Sequence, residues 1–203
     1  MLTSADPWRP IIYKDNFSGL DNSSIIDKIN PILDQCVSSN AYLEKDGGVS
    51  SVQYSKINND LGPIAWDEFA GLRDWMSPMI KQAVANWSLP DIHYIIDVSW
   101  INRHGPGAWT DEHVHRATAF VATYYLKAPK HGGHLLVRNP LEYHWNYYPE
   151  GDDLSKEIWK PVEVTTGDFV LFPGWLPHKS DINRSVDTRY VLSINFIVAP
   201  KYR

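Results

Sequence analysis

After Pro90 the hydrophobic period of the chain changes from that of helices to that of strands, and it does not change back. Ahead of that point, "NSSIIDKINPILDQC" sets Ile25, Ile29, Ile32, Leu33 and Cys36 at helical spacing behind Asn and Ser caps, with Pro31 as a kink. "AWDEFAGLRDWMSPMIKQAVANW" repeats Phe69, Leu72, Trp75, Met76, Met79, Ile80, Ala83 and Trp87 at threes and fours, with Pro78 as a bend. These side chains read as core. Beyond Pro90 stand "HYIIDVSWIN", "ATAFVATYYL", "HLLVRN", "VEVT", "FVLFP" and "RYVLSINFIV", parted by "HGPG", "KHGG", "TTGD" and "PGW". Helices first and many short strands afterwards, without βαβ alternation, predict an α+β, mainly β protein. The expected architecture is a double-stranded β-helix (jelly roll, cupin-like) buttressed by N-terminal helices. No repeat or long linker divides the 203 residues, so one domain is expected, helical over about 1–90 and a jelly-roll core over about 91–200.

The last strand says most about what such a barrel encloses. Tyr190, Leu192, Ile194, Phe196 and Val198 alternate onto one apolar face, while Arg189, Val191, Ser193, Asn195 and Ile197 fall on the other. A solvated face usually carries several flexible charges. This one carries a single Arg among small and amide side chains, which predicts a lined pocket.

Charge and composition narrow the classes of function. With 19 Lys and Arg against 24 Asp and Glu, the net charge of −5 gives no general field for nucleic acid or anionic membrane. "MLTSADPWRP" has no basic-then-apolar signal pattern, and no apolar run approaches the ~20 residues of a bilayer span, so a cytoplasmic protein without a membrane anchor is expected. Cys36 is the only cysteine, which excludes an internal disulfide or a thiolate-rich metal site and leaves metal chemistry to histidine and oxygen. Nine Trp and 11 Tyr supply rigid contact area for a core or a pocket.

Histidine is placed for such chemistry. In "WTDEHVHRATAFVATYYL" His113 and His115 are two apart on an extended segment, so both imidazoles point the same way. His178 follows "GDFVLFPGWLP", far enough along the chain to return on a neighbouring strand and complete three adjacent positions around one ion. Arg189, eleven residues after His178, begins the last strand on its pocket side. An inward guanidinium needs a carboxylate, and a ligand's carboxylate would satisfy it bidentately. The bland alternative is that these are ordinary hydrogen-bonded or exposed histidines, as expected for His104, His131, His134 and His144.

The order "WIN", a Gly-containing loop, "HVH", "TYYL", "HGGHLLVRNP", "GDFVLFPGWLPH" and "RYVLSINF" resembles the 2-oxoglutarate/Fe(II)-dependent oxygenases, in particular a branch found in bacteria and bacteriophages. The resemblance covers Trp100 to Phe196. It implies a double-stranded β-helix, an iron site containing His113 and His178, and Arg189 paired with the distal carboxylate of 2-oxoglutarate. It also implies a dioxygenase that uses Fe(II), 2-oxoglutarate and O2 and hydroxylates a small molecule or a protein side chain, releasing succinate and CO2. The usual pattern has a carboxylate where this sequence has His115. Three readings follow: His113, His115 and His178 as the metal ligands; a carboxylate from Asp111 or Glu112; or a motif starting at His115, with Ala117 where related halogenases accept halide. Among pocket-facing polar residues, Asn102, Tyr125 and Ser193 are expected beside 2-oxoglutarate, with Thr123 and Asn195 as further candidates.

"NPLEYHWNYYPEGDDLSKEIWKP" is long for a hairpin connection and suits a lid, with Tyr143, Trp145, Tyr147 and Tyr148 able to stack on a substrate. Two rival functions stand beside the oxygenase. One is a three-histidine metal dioxygenase that needs no 2-oxoglutarate. The other is a non-catalytic jelly-roll binding module, which leaves Arg189 without its carboxylate.

Overall fold

The computed structural model describes residues 12–36, 48–57, 60–87, 93–140 and 158–199. Nine strands are described: β1 (Tyr13–Asn16), β2 (Gly48–Ser50), β3 (Tyr94–His104), β4 (Phe120–Lys127), β5 (Leu135–Arg138), β6 (Trp159–Val162), β7 (Asp168–Pro173), β8 (His178–Ser180) and β9 (Arg189–Val198). Three helices accompany them: α1 (Asn22–Cys36), α2 (Val52–Ile57) and α3 (Ala70–Asn86). The strands form a six-stranded sheet in the order β1-β7-β4-β9-β3-β2 and a three-stranded sheet in the order β6-β5-β8, with antiparallel pairing throughout. This is the two-sheet jelly roll, mainly β, that the strand pattern predicts.

The helices cover one face of the large sheet. Ile25, Ile29 and Leu33 of α1 and Leu72, Met76 and Ala83 of α3 share a core with Phe120, Ala122 and Tyr124 of β4, Phe169 and Leu171 of β7, and Leu192 and Ile194 of β9. Each helix is amphipathic, and the sheet face it meets consists of the alternate residues of each strand, so helical and strand periods are satisfied by one layer. At about 25 cal/mol per Å² of apolar surface, this layer is the main source of the fold's stability. The other face of the same strands turns toward the small sheet. There Val121, Tyr125, Val170, Phe172 and Val191 meet Leu135 and Val137 of β5 in a second, smaller cluster.

Several boundaries differ from the sequence pattern. The helix read from Ala65 starts at Ala70, because Pro63–Ala65 and Asp67–Phe69 form two 3-10 turns ahead of it. "VEVT" contributes only its first residue to a strand, since β6 runs over Trp159–Val162. His104, read as part of a "HGPG" turn, is the last residue of β3, in register with Arg189 of β9. β1 and β2 join the edges of the large sheet from within the region read as helical, and β8 extends the small one. All three have only three or four residues, too short for alternation to mark them. Most of the expected lid, with His144, Tyr143, Trp145, Tyr147 and Tyr148, lies outside the described residues.

A candidate metal centre beside a buried guanidinium

β8 opens on His178. The segment carrying His113 lies alongside it, where the two histidines exchange both backbone hydrogen bonds, at 3.0 and 3.1 Å. His115 is anchored by its amide to the carbonyl of Gly174, 3.0 Å away, in the turn before β8. Backbone pairing thus brings together imidazoles that the sequence separates widely. One potential ligand atom from each of His113, His115 and His178 lies within 4.8 Å of the others, and among the described residues no carboxylate joins the cluster. Glu112 instead pairs with Arg138 at 2.6 Å. Ala117, with φ of 58°, belongs to the turn leading into β4.

The three rings share one orientation device. Nδ1 of His113 lies 2.7 Å from the Asp111 carbonyl, Nδ1 of His178 lies 2.9 Å from the Leu176 carbonyl, and Nδ1 of His115 lies 2.6 Å from Oδ1 of Asn195. A carbonyl oxygen only accepts, so each Nδ1 carries the hydrogen and donates it, and each neutral ring keeps its lone pair on Nε2. A metal-binding histidine fixed by a second hydrogen bond has this arrangement. Trp100 stacks on His115 at 5.7 Å between centroids, and Phe172 meets His178 edge-on at 4.7 Å, which limits ring rotation. Burial pushes the His115 pKa down to about 4, and the neighbouring His113 lowers it further against the bond from Asn195. Burial and then His113 hold His178 well below the ordinary histidine value. His115 and His178 are therefore neutral at pH 7, the state in which imidazole ligates a metal. Imidazole nitrogen is a donor that Fe(II) accepts, so the residues present fit that ion.

The cluster opens into a cavity of about 470 Å³ between the sheets. Its wall on the large sheet includes Asn102, Tyr125, Ser193 and Asn195, from β3, β4 and β9, all on the face opposite the helices. The alternation of β9 thus divides as its sequence predicts: Tyr190, Leu192, Ile194 and Phe196 into the helix-side core, Arg189, Val191, Ser193 and Asn195 into the cavity wall. The Asn102 amide donates to Ser193 Oγ at 3.5 Å, a long bond that leaves most of both groups' capacity for another partner. Burial raises the Tyr125 hydroxyl to about 12, with Arg189 opposing, so it is a neutral donor.

Arg189 is 1% exposed. Its Nη1 donates to the carbonyls of Gly132 and Asp181, at 2.6 and 3.2 Å. Nε and Nη2, which together form the side-on fork of a guanidinium, are buried without a partner. Burial lowers the Arg189 pKa, with Tyr125 and Asp181 opposing. Gly133 makes the Nη1 anchor possible. Its φ is +83°, and a Cβ there would stand 2.5 Å from the Asp181 carbonyl and 2.7 Å from Nη1. A charged fork held in place by backbone and left open toward a cavity fits a carboxylate.

Two further residues organise the site without being visible from sequence. Asn183, fully buried, donates its amide to the carbonyls of His104, Gly105 and Asp187, tying the end of β3 to the loop before β9. His104, 2% exposed, bonds Thr110 and borders the cavity. His134 accepts from the Val164 amide at 3.2 Å, a hydrogen-bonded role consistent with its expected one.

Fold and site together define a jelly-roll protein with a three-histidine cluster and a buried arginine lining one cavity. Residues 98–195, a little under half of the chain, match the family model described as "Putative 2OG-Fe(II) oxygenase". No curated protein matches it in sequence. Among solved structures it is similar to a Pseudomonas putida prolyl-4-hydroxylase, with TM-score 0.53 and 14% identity over 93% of each chain. A viral collagen prolyl hydroxylase from Paramecium Bursaria Chlorella virus-1, in its 2OG complex, gives 0.53 and 12% identity over 93% of this chain and 96% of that one. The epimerase SnoN, in complex with Fe3+, alpha ketoglutarate and nogalamycin RO, gives 0.54 and 13% identity over 93% and 79%. At such identities these structures speak for the fold. No helix of the described residues is long and apolar enough to cross a membrane.

Proposed function

We propose that this chain is a non-haem Fe(II) and 2-oxoglutarate-dependent dioxygenase whose iron is held by His113, His115 and His178. In this reading 2-oxoglutarate lies along the cavity wall formed by Arg189, Asn102, Tyr125 and Ser193. The observation that carries the proposal is the meeting in one cavity of the three-histidine cluster and Arg189, whose Nε and Nη2 are buried without a partner. Iron, with 2-oxoglutarate and O2, supplies an oxidant able to break a C–H bond as 2-oxoglutarate becomes succinate and CO2.

The chain's own groups do the rest. Asp111, Leu176 and Asn195 hold the three rings by Nδ1–H, which leaves Nε2 of each as the atom for a metal. With three neutral ligands, the site is one charge more positive than a site with a carboxylate, which favours a dianionic co-substrate. Arg189 neutralises the far carboxylate in a dry pocket, where its charge acts at full strength. Val121, Val191 and Leu135 line the cavity and keep bulk water from the reacting centre.

Hydroxylation of a small molecule or a protein side chain, within a single-domain protein working in the cytoplasm, belongs to the same proposal. The net charge of −5 supports the absence of general nucleic-acid binding. Among the described residues no carboxylate joins the cluster, which favours one alternative, a three-histidine dioxygenase that oxidises a chelating substrate directly. Incubation with Fe(II), O2 and 2-oxoglutarate decides between them. Succinate formed by the wild type and lost in His178→Ala supports the proposal; oxidation of a substrate without 2-oxoglutarate supports the alternative.

A further inference from the structure

The three oxygen-bonded histidines have a counterpart at the other end of the cavity. His104 and Arg189 face each other as direct register partners on β3 and β9. Directly opposed residues of an antiparallel pair put their side chains on the same face of the sheet. Both border the cavity, and both are almost fully buried. Among the buried side-chain atoms left without a partner, three belong to this pair: Nδ1 of His104 and Nε and Nη2 of Arg189. A buried polar atom without a partner is costly, so three on two adjacent side chains mark a place built for a ligand.

The contact with Thr110 is compatible with a donor at His104 Nδ1. Its Nε2 is 2.7 Å from the Thr110 hydroxyl, which is able to donate. When the hydroxyl donates to Nε2, the ring carries its own hydrogen on Nδ1, the atom without a partner, and this is the tautomer that a carboxylate beside Arg189 would select. The ring cannot answer as an imidazolium: burial and the adjacent Arg189 push its pKa down to about 3. Space for it comes from Gly48, where a Cβ would stand 3.0 Å from the imidazole Cδ2. Asn183 fixes the backbone at its carbonyl.

We propose that His104 donates its Nδ1–H to the same carboxylate that Arg189 binds, so that the two residues together select a 2-oxo acid with a second, distal carboxylate. This rests on the oxygenase reading above and adds a residue to it. The ligand class is a 2-oxo diacid, held by one charged fork and one neutral donor.

The test uses the Zn(II)-loaded protein, in which no turnover occurs, and calorimetric titration with 2-oxoglutarate and with 2-oxobutyrate, which lacks the distal carboxylate. Asn at position 104 places an amide near the Nδ1 position, whereas Gln places one near Nε2 and keeps a partner for Thr110. His104→Gln is expected to weaken 2-oxoglutarate about ten- to hundredfold and to leave 2-oxobutyrate unchanged. His104→Asn is expected to stay within about threefold of wild type for both, consistent with a retained donor. Equal 2-oxoglutarate affinity in His104→Gln, or parallel losses for both acids, overturns the proposal and leaves the oxygenase reading standing. Failure of the wild type to bind 2-oxoglutarate overturns both. Should either variant fold poorly, the ¹⁵N imidazole signals of wild-type His104 answer instead. Nδ1 protonated in the 2-oxoglutarate complex supports the proposal, and Nε2 protonated contradicts it.

Discussion

The two faces of β9 share a backbone and do opposite things. Leu192, Ile194 and Phe196 meet α1 and α3 in a dry, interdigitated layer, while Arg189, Ser193 and Asn195 on the other face line a cavity, where Nε and Nη2 of Arg189 are buried without a partner. The first face gains stability by excluding water. The second gives stability up, since a buried guanidinium with an open fork is costly until a carboxylate arrives. A strand's period of two lets one segment serve both ends, provided the helices cover one side. The comparison teaches that in this fold substitutions should separate cleanly into those that unfold the protein and those that empty it.

The largest effect expected is on the cavity side. His178→Ala removes one of three clustered nitrogens and should abolish stoichiometric iron binding, read by metal analysis after dialysis, while the circular dichroism spectrum stays native. Stoichiometric iron in that variant would break the triad. On the helix side, Leu192→Ala should cost about 2–5 kcal/mol in urea unfolding, with metal affinity unchanged in the fraction still folded. If it weakened metal binding instead, the two faces would be coupled. Arg189→Ala should weaken 2-oxoglutarate about a hundredfold in calorimetry, because it removes a buried charged fork, and leave metal affinity nearly intact. Equal loss of both would make Arg189 structural.

The smallest effect is a pH dependence of the metal-free protein. His104 has a folded pKa of about 3 and His115 of about 4, both depressed from the ordinary value of 6.5. Below pH 6.5 the unfolded chain takes up protons that the folded state refuses, so their contribution is complete above that pH and is lost as pH falls toward 4 and 3. Urea midpoints should drop on acidification, and His104→Asn should flatten the slope by up to one proton, about 1.4 kcal/mol per pH unit. An unchanged slope would mean that His104 titrates normally.

How much of this was legible before the structure follows from the physics of each signal. Long periodic elements were: α1 begins and ends where its caps and apolar spacing put it, and β9 spans the ten residues whose alternation marked them. The three histidines and Arg189 were legible as candidates because their types and order are unusual for a solvated surface. Short pairings were not. β8 is three residues long, and its partner segment around His113 is held by a bridge rather than a ladder, so neither has a period to detect. Nor was the role of His104, which reads as part of a Gly/Pro turn and becomes a pocket residue only because β3 runs on to meet β9. Register between distant strands creates that neighbour, and no local pattern carries it. Asn183 was invisible for the same reason, since its three carbonyl partners come from the end of β3, the residue after it and the loop before β9.

The central claim is that one cavity holds both a three-histidine iron site and a 2-oxoglutarate site. Anaerobic titration of the protein with Fe(II) and then 2-oxoglutarate tests it most directly. A weak visible charge-transfer band at about 500 nm, saturating at one 2-oxoglutarate per iron and missing in His178→Ala, is the result the account predicts. Iron bound at one equivalent with no such band on adding 2-oxoglutarate would contradict it.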